Sequence, residues 1–157
     1  MDLLTNDEWG YIMRFIEKNI DKYNLLRVCK RIGNCEVYFS EAVSLVMIQK
    51  STWYDKFINV IVYDLVTLPL HIKSLTFGYS FDKLIDGYIP SSVTHLIFGF
   101  CFNQPIKDCI PLRVTHLTFG GYFNQPIKDC IPLGVTHLTF GQCFDQQIKD
   151  CIPLGVT

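Results

Sequence analysis

The chain has 157 residues, 49% of them apolar and 18% charged, with a formal net charge of −1 at neutral pH. This is the composition of a folded chain rather than a disordered one, and the charge balance gives no electrostatic reason to expect nucleic acid or an anionic membrane as partner. Residues 1–50 set seven Lys/Arg against seven Asp/Glu, so no basic patch hides in the average. The longest apolar runs, such as Leu45–Ile48 and Val60–Tyr63, fall far short of the roughly 18 residues a membrane-spanning helix needs. The start, MDLLTNDEWG, lacks the basic and apolar regions of a secretory signal. A cytoplasmic setting is therefore expected, and in it the seven cysteines read as reduced thiols rather than a disulfide framework.

Residues 1–50 have the pattern of a small helical module. Thr5 and Glu8 have the spacing of a capping box, and Trp9, Ile12, Met13 and Ile16 then fall at i, i+3, i+4 and i+7, which places them on one face of a helix over 6–18. Asp21 caps a second short helix whose buried side holds Leu25, Leu26, Val28, Cys29 and Ile32. A third element over 36–49 is open between helix and strand. Residues 51–71 read as a junction and a shortened first coil, with FINVIVYD at 57–64 aligned on the later repeats through Ile58, Ile61 and Tyr63.

From residue 72 the chain repeats. Units at 72–92, 93–113, 114–134 and 135–155 follow a period of 21 without insertion, and a further unit begins at Val156 and Thr157. The last two full units differ at four positions only, Gly121/Gln142, Tyr122/Cys143, Asn124/Asp145 and Pro126/Gln147. A fixed period of this length marks a solenoid, whose units are too small to bury an apolar face alone and must stack. In each coil V-T-H-L-T-F-G alternates as a strand does, so Leu96, Phe98, Leu117, Phe119, Leu138 and Phe140 point inward and His95, Ile97 and Gly99 outward. Parallel strands of successive coils then form one sheet face. Gly99, Gly120 and Gly141 end the strands, Phe102, Ile106 and Ile110 complete the core, and Pro105 and the row Pro90, Pro111, Pro132 and Pro153 turn the chain. The column Asp82, Asn103, Asn124 and Asp145 sits where a side chain can satisfy backbone groups in a bend. The open last strand is expected either to pair end to end with another copy or to belong to a longer product.

Stacking turns each repeat position into a row. His95, His116 and His137, continued by Ser74, form the first; such a row can bind metal or donate protons, but structural zinc wants four converging N/S ligands and no CxxC or HxxxH pair is present. Outward, tolerated histidines are the simpler reading, with no metal and no cofactor. Cys109, Cys130 and Cys151, with Tyr88 in the same column, read as small core residues rather than a redox strip. Lys107, Lys128 and Lys149 beside Asp108, Asp129 and Asp150 read as a solvated outer face. No nucleophile–base pair, carboxylate dyad or phosphate-cradling loop is visible, so no enzymatic activity is expected.

The units VTHLTFGGYFNQPIKDCIPLG resemble the FNIP repeat, a leucine-rich-repeat-like unit known mainly from social amoebae and from large DNA viruses of amoebae. More loosely, LTNDEW at 4–9 and LLRVCKR at 25–31 resemble an F-box, although Thr5 stands where that family has proline. Together the resemblances imply an α+β chain: an F-box-like helical module (1–50), a junction (51–71) and a right-handed, leucine-rich-repeat-like solenoid (72–157) with a parallel sheet on one face. They imply a substrate receptor of a cullin-type ubiquitin ligase, in which Leu4, Trp9, Ile12, Leu25, Leu26 and Val28 hold the adaptor subunit. The exposed face, with Ser74, His95, His116, His137, Ile97, Thr118 and Thr139, would take an unknown protein target. A plain helical cap on a freestanding binding repeat is the alternative.

Overall fold

In the computed structural model the described residues are 43–44 and 58–156. They contain a parallel sheet of six short strands in sequence order: β1 (Val43–Ser44), β2 (Asn59–Val62), β3 (Ser74–Phe77), β4 (His95–Ile97), β5 (His116–Thr118) and β6 (His137–Thr139). From β3 onward each strand belongs to one coil and register and repeat coincide, with Leu75 beside Leu96, Leu96 beside Leu117, and Leu117 beside Leu138. The period of 21 thus becomes one lateral step of the sheet.

The coil interior is an aromatic and aliphatic stack. Phe77, Phe98, Phe119 and Phe140 lie ring on ring at 5.2–5.4 Å and within 5° of parallel, and Phe102, Phe123 and Phe144 make a second column at 6.0–6.2 Å. The two columns touch within each coil, as Phe98 and Phe102 do at 4.2 Å. Leu96, Leu117, Ile106, Ile127, Val93 and Val114 are buried between them, and Leu138, in the last described coil, is half-buried. Imidazole rows on the outer side of the sheet repeat at only 4.1–4.2 Å. Spacing that widens from the sheet's outer side through the core means the coils fan apart, so the sheet lies on the inside of the curve.

Two features of the first coil correct the sequence reading. Val60 pairs with Leu75 and Val62 with Phe77, and both valines are buried. The alignment through Ile58, Ile61 and Tyr63 is therefore displaced by one residue: Ile61 faces out opposite Thr76, and Tyr63 is exposed. A one-residue slip exchanges the two faces of a strand, and both alternations in FINVIVYD are apolar enough to pass. The sheet also starts inside the stretch assigned to the helical module, since Val43 and Ser44 pair with Val60 and Ile61, which makes those two residues strand. The helices expected over 6–18 and from Asp21 lie outside the described residues.

The glycines do more than end strands. A β-carbon on Gly99 would stand 1.9 Å from the carbonyl oxygen of Gly78, one on Gly120 would stand 2.0 Å from that of Gly99, and one on Gly141 would stand 2.1 Å from that of Gly120. Successive backbones come too close here for any side chain. Beside this row the Asp82 column forms a polar counterpart: Asp82 Oδ1 accepts the Asn103 backbone N–H at 2.9 Å, Asn103 Oδ1 accepts that of Asn124, and Asn124 Oδ1 that of Asp145. The same oxygens accept Gln104, Gln125 and Gln146 Nε2. Each bend is thus completed by the preceding coil.

Gly120→Ala is expected to cost on the order of 1–3 kcal/mol or more, as forced overpacking does, read from urea unfolding midpoints. Gly155→Ala, where nothing lies within 4 Å of the added carbon, should change the midpoint little. Leu117→Ala, at a position 1% exposed, should cost about 2–5 kcal/mol.

Candidate functional site

The outward side of β3 to β6 presents Ser74 and Thr76, then His95 and Ile97, His116 and Thr118, and His137 and Thr139 in register. All seven residues expected on a target-binding face therefore lie on one surface. The adaptor-binding set, Leu4, Trp9, Ile12, Leu25, Leu26 and Val28, lies outside the described residues.

The imidazoles are held in place by the residue before each of them, which the sequence reading did not single out. Thr94 Oγ1 donates to Lys73 O at 3.2 Å and sits 2.9 Å from His95 Nδ1. Thr115 does the same between Thr94 O and His116, and Thr136 between Thr115 O and His137. Each hydroxyl has one proton to share between the carbonyl oxygen and Nδ1, and the tautomer of the ring goes with that choice. The recurrent T-H dipeptide was the available signal. Lys73 replaces the threonine and Ser74 the histidine in the first full coil, so the row begins at His95.

The rings stack at 4.2 and 4.1 Å, 13° and 7° from parallel. His116 is held below the ordinary imidazole range, first by desolvation and then by the neighbouring charges of His95 and His137. Protonation of His116 would set its positive charge between the faces of the two neighbouring rings. The stacked rings hold their planes nearly parallel rather than converging on a point, and among the described residues no group of three His, Cys, Asp or Glu can hold a metal ion.

The cysteine column is interior at Cys109 and half-buried at Cys130 and Cys151. Burial, and then a hydrogen bond from Cys109 Sγ to Asp86 Oδ1 at 3.2 Å, push the Cys109 thiol up to about 12. Cys130 is raised as well, chiefly by burial. Tyr88 occupies the same column in the first full coil and ties it to the junction, its hydroxyl donating to Val66 O at 2.9 Å. Lys107 and Asp108, Lys128 and Asp129, and Lys149 and Asp150 are all exposed. Each aspartate has φ 58°, the left-handed region, as Gly87 has in the equivalent place with φ 61°. Gly87 was the signal for that conformation.

The FNIP repeat matches residues 64–101, 102–143 and 123–157, and the chain belongs to the FNIP repeat family. Among solved structures it is similar to CroV588, described as a novel circular LRR protein, with 38% identity and a TM-score of 0.60. That similarity covers 65% of this chain and 17% of CroV588. No curated protein matches the chain significantly. The leucine-rich-repeat-like solenoid of the sequence reading is thereby established.

Two measurements probe the site. Because His116 binds its proton less readily folded than unfolded, stability should be flat above the unfolded imidazole value of about 6.5 and fall as pH drops through and below it. His116→Ser, which installs the residue of the first full coil, should reduce that acid sensitivity in urea titrations at neutral and mildly acidic pH. In the native protein a thiol reagent should modify exposed Cys143 quickly and Cys109 slowly, with peptide mass spectrometry reading the order.

Proposed function

We propose that the chain is a protein-interaction scaffold whose inward-curving sheet face captures a protein target, and that residues 1–50 are an F-box-type module linking that target to the adaptor of a cullin-type ubiquitin ligase. The observation that carries the reading is the outward row of imidazoles and hydroxyls, fixed by Thr94, Thr115 and Thr136 on the concave side of the stack. Curved solenoid faces of this kind serve as extended binding surfaces. A row of pre-oriented polar groups loses little freedom when a partner docks. In this reading the chain catalyses nothing itself and works in the cytoplasm, and the similarity to a leucine-rich-repeat structure supports a scaffold role.

The ligase link is tested by affinity capture with purified adaptor subunit. Wild-type protein should retain it at micromolar concentration. Leu4→Asp and Leu25→Asp, once circular dichroism shows their fold intact, should lose it by more than about tenfold, the range of a buried apolar anchor, and His116→Ala should retain it. Failure of the wild-type protein to hold adaptor refutes the ligase link and leaves a freestanding binding repeat.

A further inference from the structure

A second surface lies away from the sheet. After the turn that carries the left-handed aspartate, each coil makes another tight turn, closed by Val114 N–H to Pro111 O at 3.0 Å and by Val135 N–H to Pro132 O at 3.0 Å. The residue after the proline is Leu112, 83% exposed, and Leu133, 89% exposed, with Leu154 continuing the row. The first full coil closes the same turn, Val93 N–H to Pro90 O at 3.1 Å, with Ser91 in that place. Leucine is therefore not what the turn requires. The same holds one turn earlier, where Gly87 adopts the conformation of Asp108 and Asp129 without a charge.

Between the two turns runs a groove of about 380 Å³ across three coils, with Ile110, Ile131 and Pro132 along its floor, Leu112 and Leu133 on one side, and Asp108, Asp129 and Asp150 beside them. Lys107, Lys128 and Lys149 do not line it. The carboxylates make no ion pair among the described residues, where the one salt bridge joins Lys83 and Asp64. Exposed leucines in a contiguous row are the mark of a contact surface, and a flanking row of unpaired carboxylates selects positive charge.

We propose that this groove docks a basic amphipathic helix of a partner protein, laid along the stack with its apolar stripe on Leu112 and Leu133 and one Lys or Arg per turn facing Asp108 and Asp129. Leucines and aspartates line this groove together, and a helix carries its apolar stripe and a flanking charged row on adjoining parts of one surface, whereas an extended strand of alternating residues sends them to opposite faces. The surface is separate from the imidazole face, so it stands or falls independently of target capture there.

The test uses the full chain and a fluorescent synthetic helix of about 18 residues, five turns, with a leucine stripe flanked by lysines. Fluorescence anisotropy is compared with an otherwise identical peptide flanked by glutamates and with an alternating Leu/Lys strand-forming peptide. Binding of the basic helix alone, weakened by added salt and by at least about tenfold in Leu112→Ser/Leu133→Ser and in Asp108→Gly/Asp129→Gly, supports the proposal. Both double variants install residues that the first full coil already uses, and circular dichroism confirms that they fold. Equal binding of basic and acidic helices, preference for the strand former, unchanged binding by the variants, or no binding of the basic helix up to about 100 μM, equivalent to roughly −5.5 kcal/mol, overturns it.

Discussion

The close approach of one coil's backbone to the next along Gly78, Gly99, Gly120 and Gly141 is the constraint on which the rest of the stack depends. A single β-carbon at Gly99, Gly120 or Gly141 would lie about 2 Å from a carbonyl oxygen of the preceding coil, so any other residue there would push the coils apart. Spacing set in this row governs the packing on either side of it. The phenylalanine columns can stack ring on ring only because the coils repeat without offset, and the side-chain oxygens of Asp82, Asn103 and Asn124 reach the next backbone N–H at 2.9 Å only at that separation. The same repeat brings the imidazoles into contact on the sheet's outer side. Packing, polar satisfaction and the proposed binding face are thus three consequences of one short distance.

The chemistry of the coil is divided by direction. Aromatic rings and branched aliphatics hold the interior; hydroxyls and imidazoles occupy the strand face; carboxylates and leucines occupy the turns. Translation by one coil copies each residue onto its own kind, so these surfaces are built as rows of like groups. What such a surface offers is extent and repetition, which suits recognition of a long partner better than of a small molecule.

Much of this was legible in the sequence because a period of 21 fixes neighbours in space without any further information. Leu96 had to meet Leu117, and His95 had to meet His116, once the units were assumed to stack. The first coil escaped for the same reason: it is shorter, with 15 residues from Val60 to Leu75, so the period gave no register and local hydrophobicity could not choose between two apolar alternations. The glycines were read as strand ends since their true partner is 21 residues away. Thr94 and Thr115 were passed over because a threonine in a strand looks like β propensity alone, and their service to the neighbouring imidazole depends on where the preceding carbonyl lies.

The ladder of side-chain acceptors at Asp82, Asn103 and Asn124 has a direction. Each oxygen serves a backbone group that comes later in the chain, so along this ladder a finished coil holds out the acceptor that the next one needs. A ribosome delivers coils in that order. Every newly emerged repeat therefore meets a docking edge already shaped to receive it, and the stack can grow as a zipper closes from one end, with no need for distant parts of the chain to find each other first.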